Sequence, residues 1–316
     1  MNRFAEYGSS LRLRRSLATL DTTFSTGLIT GFIATFTTGL ISTCLVFGSV
    51  MASAQAQTTD SPPAIQTADE LANAVYDRPS GKDVSARVMM ALESKGEIKK
   101  RRILYSYGVD RGNAERWALI RFITPNEVAG TGLLTLDHPG DASDQWLYLP
   151  SLDRVRRIAS NRKGGRFVGS DFFYEDLSDR EPAMDHHKLL GEDKVGNTTC
   201  TLLESVPVDK SNSVYSKRIS CIHPKLLIPL RIDFYTRGKN PVKRLQASKI
   251  RKVQDYWTIY QSTMTDLQKN HKTHLITTDI VYDQELPDNL FTQRGLADDK
   301  LELPYRPENR SAEAQD

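Results

Sequence analysis

Cysteine is scarce in this chain, with three in 316 residues, and only Cys200 and Cys221 lie outside the first 56. Neither has a second ligand at metal-binding spacing, which argues against a zinc site. Charge of one sign is also missing. Residues 1–56 hold four of the 42 cations and two of the 39 acids, so the remaining 260 residues carry 38 cations against 37 acids. A nearly neutral chain has no bulk attraction for nucleic acid. Catalytic signatures are absent too. His186-His187 follows Asp185, but no H-E-x-x-H spacing occurs, and adjacent strand residues point to opposite faces. Gly169-Ser170-Asp171 lacks the flanking glycines of a nucleophile elbow, and Gly164-Gly165 is not a phosphate-binding loop. Glu175-Asp176 could serve as a carboxylate pair for acid–base work, but surface acids are common. The expectation is a protein that is not an enzyme and needs no metal or cofactor.

The N-terminus speaks to compartment. Arg12, Arg14 and Arg15 precede Leu28 to Val50, a stretch without charge, followed by Ala52-Ser53-Ala54-Gln55-Ala56. Basic start, apolar middle and small residues at an A-x-A site are the parts of an export signal. Cleavage is expected after Ala56, with Ala54 as the other candidate, so that residues 1–56 form a signal peptide and the mature chain is periplasmic. The uncharged stretch is 23 residues long, enough to span a bilayer, and an uncleaved inner-membrane anchor is the alternative. Ile41-Ser42-Thr43-Cys44 is a poor lipid-attachment box, because Thr stands where a smaller residue is wanted.

Past residue 56 the pattern is one helix and then strands. Thr67-Ala68-Asp69-Glu70 reads as a capping box, with Ala68, Leu71, Ala74 and Val75 on one face and a stop at Pro79-Ser80-Gly81. Twelve strand candidates follow: 84–94, 99–107, 116–124, 132–137, 145–149, 154–159, 199–208, 214–223, 230–235, 242–250, 258–266 and 273–282. Polar turns such as Ser94-Lys95-Gly96 and Arg237-Gly238-Lys239-Asn240 separate them, which predicts an antiparallel meander. No internal repeat or low-complexity linker appears, so residues 57–303 are expected to form one domain, with a loose tail over 304–316.

The strands 199–208 and 214–223 form a hairpin if Cys200 lies opposite Cys221. That register sets Leu202 against Ile219, Glu204 against Lys217 and Val206 against Tyr215. A disulfide between the cysteines is expected in an exported chain, two buried thiols being the alternative. Met90, Leu92, Ile120, Phe122, Leu134, Leu136, Ile232 and Phe234 mark what should be one continuous apolar face. Trp146 and Tyr148, opposite Leu147 and Leu149 on a strand apolar on both sides, are assigned to it as well. Arg154, Arg156, Arg157, Arg162, Lys163 and Arg166 surround a Gly-rich turn. They suit phosphate head groups or an acidic partner, or else a charged edge that resists aggregation. Asp171, Glu175, Asp176 and Asp179 follow, and pairing with this basic cluster is as good a reading as metal binding.

Several long motifs occur in order: DQWLYLPSLDRVRRIAS, FVGSDFFYEDL, KLLGED, YSKRISC, LIPLRIDFY, HKT and LPDNLFTQRGL. Together they resemble the LolA-like outer-membrane lipoprotein-sorting proteins, from about Asp69 to Leu296. The resemblance implies a mainly β (α+β) fold: a curved antiparallel sheet forming an incomplete β-barrel, with helices plugging its concave side. It also implies a cavity for acyl chains of a lipid or acylated protein, and partnership with an RND-type inner-membrane exporter. In that fold the ten apolar residues above would line the cavity, a filled core being the alternative reading of the same residues. The alternative is a sensor or scaffold that binds and regulates a membrane protein without carrying cargo. Cys221 stands where many relatives have Trp, which makes the disulfide a local feature of this chain.

Overall fold

The computed structural model describes residues 65–140 and 142–308, all within a compact unit spanning Ser61–Asp316. The expected signal segment 1–56 lies outside the described residues.

Helix α1 (Ala68–Tyr76) begins where the capping box predicts. Thr67 Oγ1 accepts from the Glu70 amide at 3.1 Å, and the Glu70 carboxylate accepts from the Thr67 amide at 3.1 Å, satisfying two otherwise orphan donors. Its Leu71 and Ala72 are buried against Leu203 and Ile222.

Thirteen strands form a single antiparallel sheet. They are β1 (Asp83–Ser94), β2 (Glu97–Gly112), β3 (Glu115–Thr124), β4 (Gly132–Asp137), β5 (Asp144–Leu149), β6 (Arg154–Arg157), β7 (Asp185–Val195), β8 (Thr198–Pro207), β9 (Lys217–Ile222), β10 (Pro229–Tyr235), β11 (Lys243–Val253), β12 (Tyr256–Asp266) and β13 (His271–Tyr282). The spatial order is β6-β5-β4-β3-β2-β1-β13-β12-β11-β10-β9-β8-β7. Two meanders are thus joined where β1 pairs with β13, and β6 and β7 remain as free edges, so the barrel is open. Strand β7 had no sequence signal. It is an edge strand with most side chains exposed, and apolar alternation marks only strands with a buried face.

The connection from β6 to β7, residues 158–184, crosses the sheet from edge to edge. Phe167, Val168, Tyr174 and Leu177 pack on Val88, Met90, Leu92, Leu104 and Phe122 of the first meander. Phe172 and Phe173 pack with Tyr215, Phe234 and Met264 of the second. One short segment can touch both halves only if it lies inside the curl of the sheet. The plug on the concave side is therefore α1 together with the 3-10 turns at 167–169, 175–177 and 182–184.

The opposite, convex face is closed by the C-terminal segment. Leu286, Leu290, Phe291 and Leu296 cover Tyr105, Tyr107, Leu119 and Leu134, with Leu136, Trp146 and Tyr148 packed beside them. A short helix α2 (Gln293–Ala297) lies here, and Gly295 is required in it: a Cβ would come within 2.3 Å of the Asn289 carbonyl oxygen. Fully buried Arg121 reaches from β3 to Glu302 at 3.4 Å and donates to the Gly130 carbonyl at 2.9 Å. Burial pushes the Glu302 carboxyl up to about 7. Arg306 stacks over Tyr105, whose hydroxyl donates to Glu308. The packed chain thus runs through Glu308, past the boundary expected at 304.

The expected single apolar face is corrected by the register. Ile120 pairs with Leu133, not with Leu134, so Met90, Leu92, Ile120 and Phe122 face inward while Leu134, Leu136, Trp146 and Tyr148 face outward. Strand β4 is buried on both sides, so alternation of hydrophobicity could not fix its phase, and a one-residue offset flips every side chain.

The Cys200–Cys221 disulfide is present, with Cα atoms 5.3 Å apart. The hairpin register differs from expectation by two residues: Leu202 pairs with Cys221 and Glu204 with Ile219. A two-residue slip preserves which side chains share a face, so the bridge forms diagonally and Lys217 still reaches Glu204 at 2.7 Å.

Candidate functional site

Between α1, the end of the crossing segment and strands β8–β12 lies a cavity of about 530 Å³. Its apolar wall combines Val75 of α1 with Leu203, Ile222, Ile232, Phe234, Leu245 and Met264 of the sheet. All these sheet residues project from the concave face, where strand alternation repeats them at every second position. A smaller pocket of about 190 Å³, lined by Val88, Leu245, Ala247, Ile259 and Leu275, shares Pro229 and Leu245 with the first. The two make an apolar strip along the uncovered part of the sheet.

The other wall is polar and internally paired. Asp185, nearly buried, takes Arg180 at 3.0 Å and also Arg218. His187 is held between Ser205 Oγ at 3.0 Å and the Pro182 carbonyl at 2.9 Å, while His186 is exposed on the other side. Arg116 lies 3.8 Å from the Tyr76 ring centroid and pairs with Asp110 and Asp179. Burial pushes the Tyr76 hydroxyl up to about 12, so it is a neutral donor at physiological pH. Among the described residues no group of His, Cys, Asp and Glu has a metal-binding arrangement.

The acids of the crossing segment anchor it. Asp171 accepts from the Thr273 hydroxyl at 2.8 Å, meets His271 Nδ1 at 2.7 Å and pairs with Arg166. Glu175 accepts from the Val214 amide at 2.6 Å. Asp176 accepts from the Tyr215 hydroxyl at 2.7 Å and pairs with Lys243 at 2.5 Å, inside a cage of Phe173, Tyr215 and Phe234. Of the expected pairs with the neighbouring basic cluster, only Arg166–Asp171 is a close contact. Apart from the Phe173 amide that donates to Asp176, the side-chain partners of Glu175, Asp176 and Asp179 are distant in sequence, an arrangement that no local pattern signals.

Comparison with known proteins gives these contacts a context. No curated protein matches the chain. A family model described only as "-like: Uncharacterized protein" matches residues 114–298. Among solved structures, the chain is similar to a putative outer membrane lipoprotein-sorting protein domain from Vibrio parahaemolyticus. Identity is 33%, covering 73% of this chain and 98% of that one, with a TM-score of 0.69. The chain belongs to the LolA-like family. A DUF1329 family protein from Desulfovibrio piger is similar at 26% identity, covering 72% of this chain and 97% of its own, with a TM-score of 0.69. A LolA superfamily protein from Nitrosomonas europaea shares the fold at 17% identity, covering 73% and 100%, with a TM-score of 0.57.

In this LolA-like chain, the ten apolar residues singled out in the sequence fall into three places. Ile232 and Phe234 line the cavity. Met90, Leu92, Ile120 and Phe122 lie on the same concave face, in the cluster capped by Phe167. Leu134, Leu136, Trp146 and Tyr148 are on the convex side with the C-terminal segment. Leu203, Ile222, Leu245 and Met264 were missed as lining residues, although their strands were recognised; only the folded register shows that they converge.

The basic cluster divides as well. Arg154, Arg156, Arg157 and Arg162 are exposed on or just beyond edge strand β6, with Arg157 paired to Asp144. Lys163 is buried, its ammonium pushed down in pKa by desolvation, and Arg166 joins Asp171 and Asp266. Through Asp266, Arg166 ties the crossing segment to β12. The disulfide lies among Leu230, Leu202 and Ile250, on the face away from the cavity.

Proposed function

We propose that this chain binds an acyl chain of a lipid or lipoprotein in the concave-side cavity and carries it between membranes. The observation that carries the reading is the apolar strip through Ile222, Ile232, Phe234, Leu245 and Met264, which a packed core would have filled. Its volume of about 530 Å³ falls in the usual range for small-molecule sites, roughly 300–1,000 Å³. Each methylene buried there contributes about 0.8 kcal/mol, so a long acyl chain is held without directional contacts. Membership of a family that includes a lipoprotein-sorting domain supports the same reading. In this proposal the protein works in the periplasm, exchanges cargo with an RND-type exporter, and uses Arg154, Arg156, Arg157 and Arg162 at head groups.

The test is mass spectrometry of the protein purified from its own envelope, with displacement of a fluorescent fatty acid. Bound lipid and a probe affinity lowered at least tenfold by Ile232→Asp are expected, because a carboxylate in the apolar wall is costly to desolvate. Empty protein that takes up no probe would refute the proposal. Stable capture of a membrane partner without lipid exchange would favour the scaffold alternative.

A further inference from the structure

The pairing registers put every hairpin connection at one of two rims. Ser94 pairs with Glu97 and with His271, Asp266 with His271 and with Lys243, and Phe234 with Lys243. Leu149 pairs with Arg154, and Ser205 with Arg218. Following these pairs around the sheet gathers the connections 95–96, 125–131, 150–153, 208–216, 236–242 and 267–270 on one rim. The connections 113–114, 138–143, 196–197, 223–228 and 254–255 fall on the other.

The first rim has an unusual surface. Ile98, Leu152, Val208 and Leu267, 36%, 54%, 55% and 43% exposed, stand at or beside four different turns. They are separated by up to 169 positions in sequence, from 98 to 267, and no local pattern joins them. Lys95, Arg101, Arg154, Lys210, Arg237 and Lys239 are exposed around them, and none of these six has an ion-pair partner among the described residues. The acids of this rim are partly spent: Glu97 and Glu127 pair with Lys99 and Lys100. The second rim differs. Its described connections hold one cation, Lys225, against Asp255; beside them stand one large exposed apolar residue, Trp257, and exposed Lys194, Arg251, Lys252 and Arg157, the last two paired with Asp255 and Asp144.

We infer that the first rim is a docking surface for an anionic lipid bilayer. Single exposed apolar tips spaced along a rim do not make the contiguous patch of a protein interface. Together with unpaired cations they match the interfacial layer of a membrane, where apolar side chains enter between head groups and Lys and Arg meet phosphate. The surface lies outside the cavity, and docking therefore does not depend on the cargo proposal. If both hold, the half-barrel meets the bilayer rim-first.

The test is sedimentation of the unit from Ser61 onward with vesicles, after a cooperative thermal transition shows that it is folded. Binding is expected to vesicles of phosphatidylethanolamine with phosphatidylglycerol, to fall with added salt, and to be weak with phosphatidylcholine alone. R237A/K239A is expected to lose affinity roughly 30-fold, and L152S/L267S roughly tenfold. K225A, on the other rim, should bind as the parent does. No binding to anionic vesicles, equal binding to phosphatidylcholine, or rim variants that bind like the parent would each overturn the inference. So would loss of binding on W257A alone, since exposed Trp257 stands beside the 254–255 turn of the second rim. Fatty-acid uptake measured on the same samples separates failure of docking from failure of the cavity.

Discussion

Asp171→Ala should be among the most damaging single substitutions in the crossing segment, although no ligand is placed near it. The carboxylate has no solvent exposure. It accepts from the Thr273 hydroxyl, meets His271 and pairs with Arg166, so it ties the middle of the segment to β13. Truncation leaves the buried Thr273 hydroxyl and the His271 ring without this acceptor and removes the counter-charge of Arg166. Breaking a buried charged network from one side costs about 3–5 kcal/mol, and at about 2–4 °C per kcal/mol for a domain of this size, Tm should fall on the order of 10 °C. Asp171→Asn keeps the shape and one acceptor and should lose less than half as much. Arg166→Ala should cost less than Asp171→Ala, about 1.5–3 kcal/mol, because the buried Asp171 carboxylate loses its cation but keeps the Thr273 hydroxyl and His271. Thermal unfolding followed by circular dichroism gives the ranking. A loss under about 1 kcal/mol for Asp171→Ala, or an Arg166→Ala effect as large as that of Asp171→Ala, would refute the account of Asp171 as the anchor.

Four further outcomes are expected. Replacing Cys200 and Cys221 with Ser should lower stability by about 3 kcal/mol in the chain-entropy model for a separation of 21 residues, while fatty-acid uptake stays unchanged; denaturant melts and probe titration read both. Lys243→Met should cost about 3 kcal/mol by leaving buried Asp176 without its cation, and adding Asp176→Asn should recover most of it in a double-mutant cycle. Glu302, raised to about 7 from 4.5, keeps in the folded chain a proton that the unfolded chain has released between those values. Its contribution to stability is present below that window and lost as pH rises through it, so Glu302→Gln should gain on the parent by up to ~3 kcal/mol by pH 8 in Tm–pH profiles. Finally, Arg156→Ala with Arg157→Ala and Arg162→Ala should weaken head-group or partner binding with Tm nearly unchanged; a large drop in Tm would mean that the exposed arginines are structural.

The sequence alone determined the elements that depend on local chemistry. The capping box set the start of α1 where Thr67 and Glu70 exchange hydrogen bonds, and alternation with polar turns marked twelve of the thirteen strands, because one buried face is enough to imprint period two. The ordered motifs from Asp144 onward were sufficient for the family resemblance. The cysteines declared their pairing through like surroundings, though two residues off in register, an error that leaves the faces unchanged.

Tertiary structure decided everything that depends on phase or distance. Strand β4, apolar on both sides, reads the same in either phase, so only its pairing with β3 shows that Leu133 faces inward and Leu134 outward. Edge strand β7 has little to bury and left no pattern. The acids of FVGSDFFYEDL looked like partners for the arginines beside them, yet Asp176 is matched by Lys243, 67 positions away. The cavity, too, is a product of closure. Ile222, Ile232, Leu245 and Met264 sit on four strands, and each strand specifies which of its residues share a face but not what stands opposite. That was settled by α1 and the crossing segment, which pack across the concave side and stand opposite these strands.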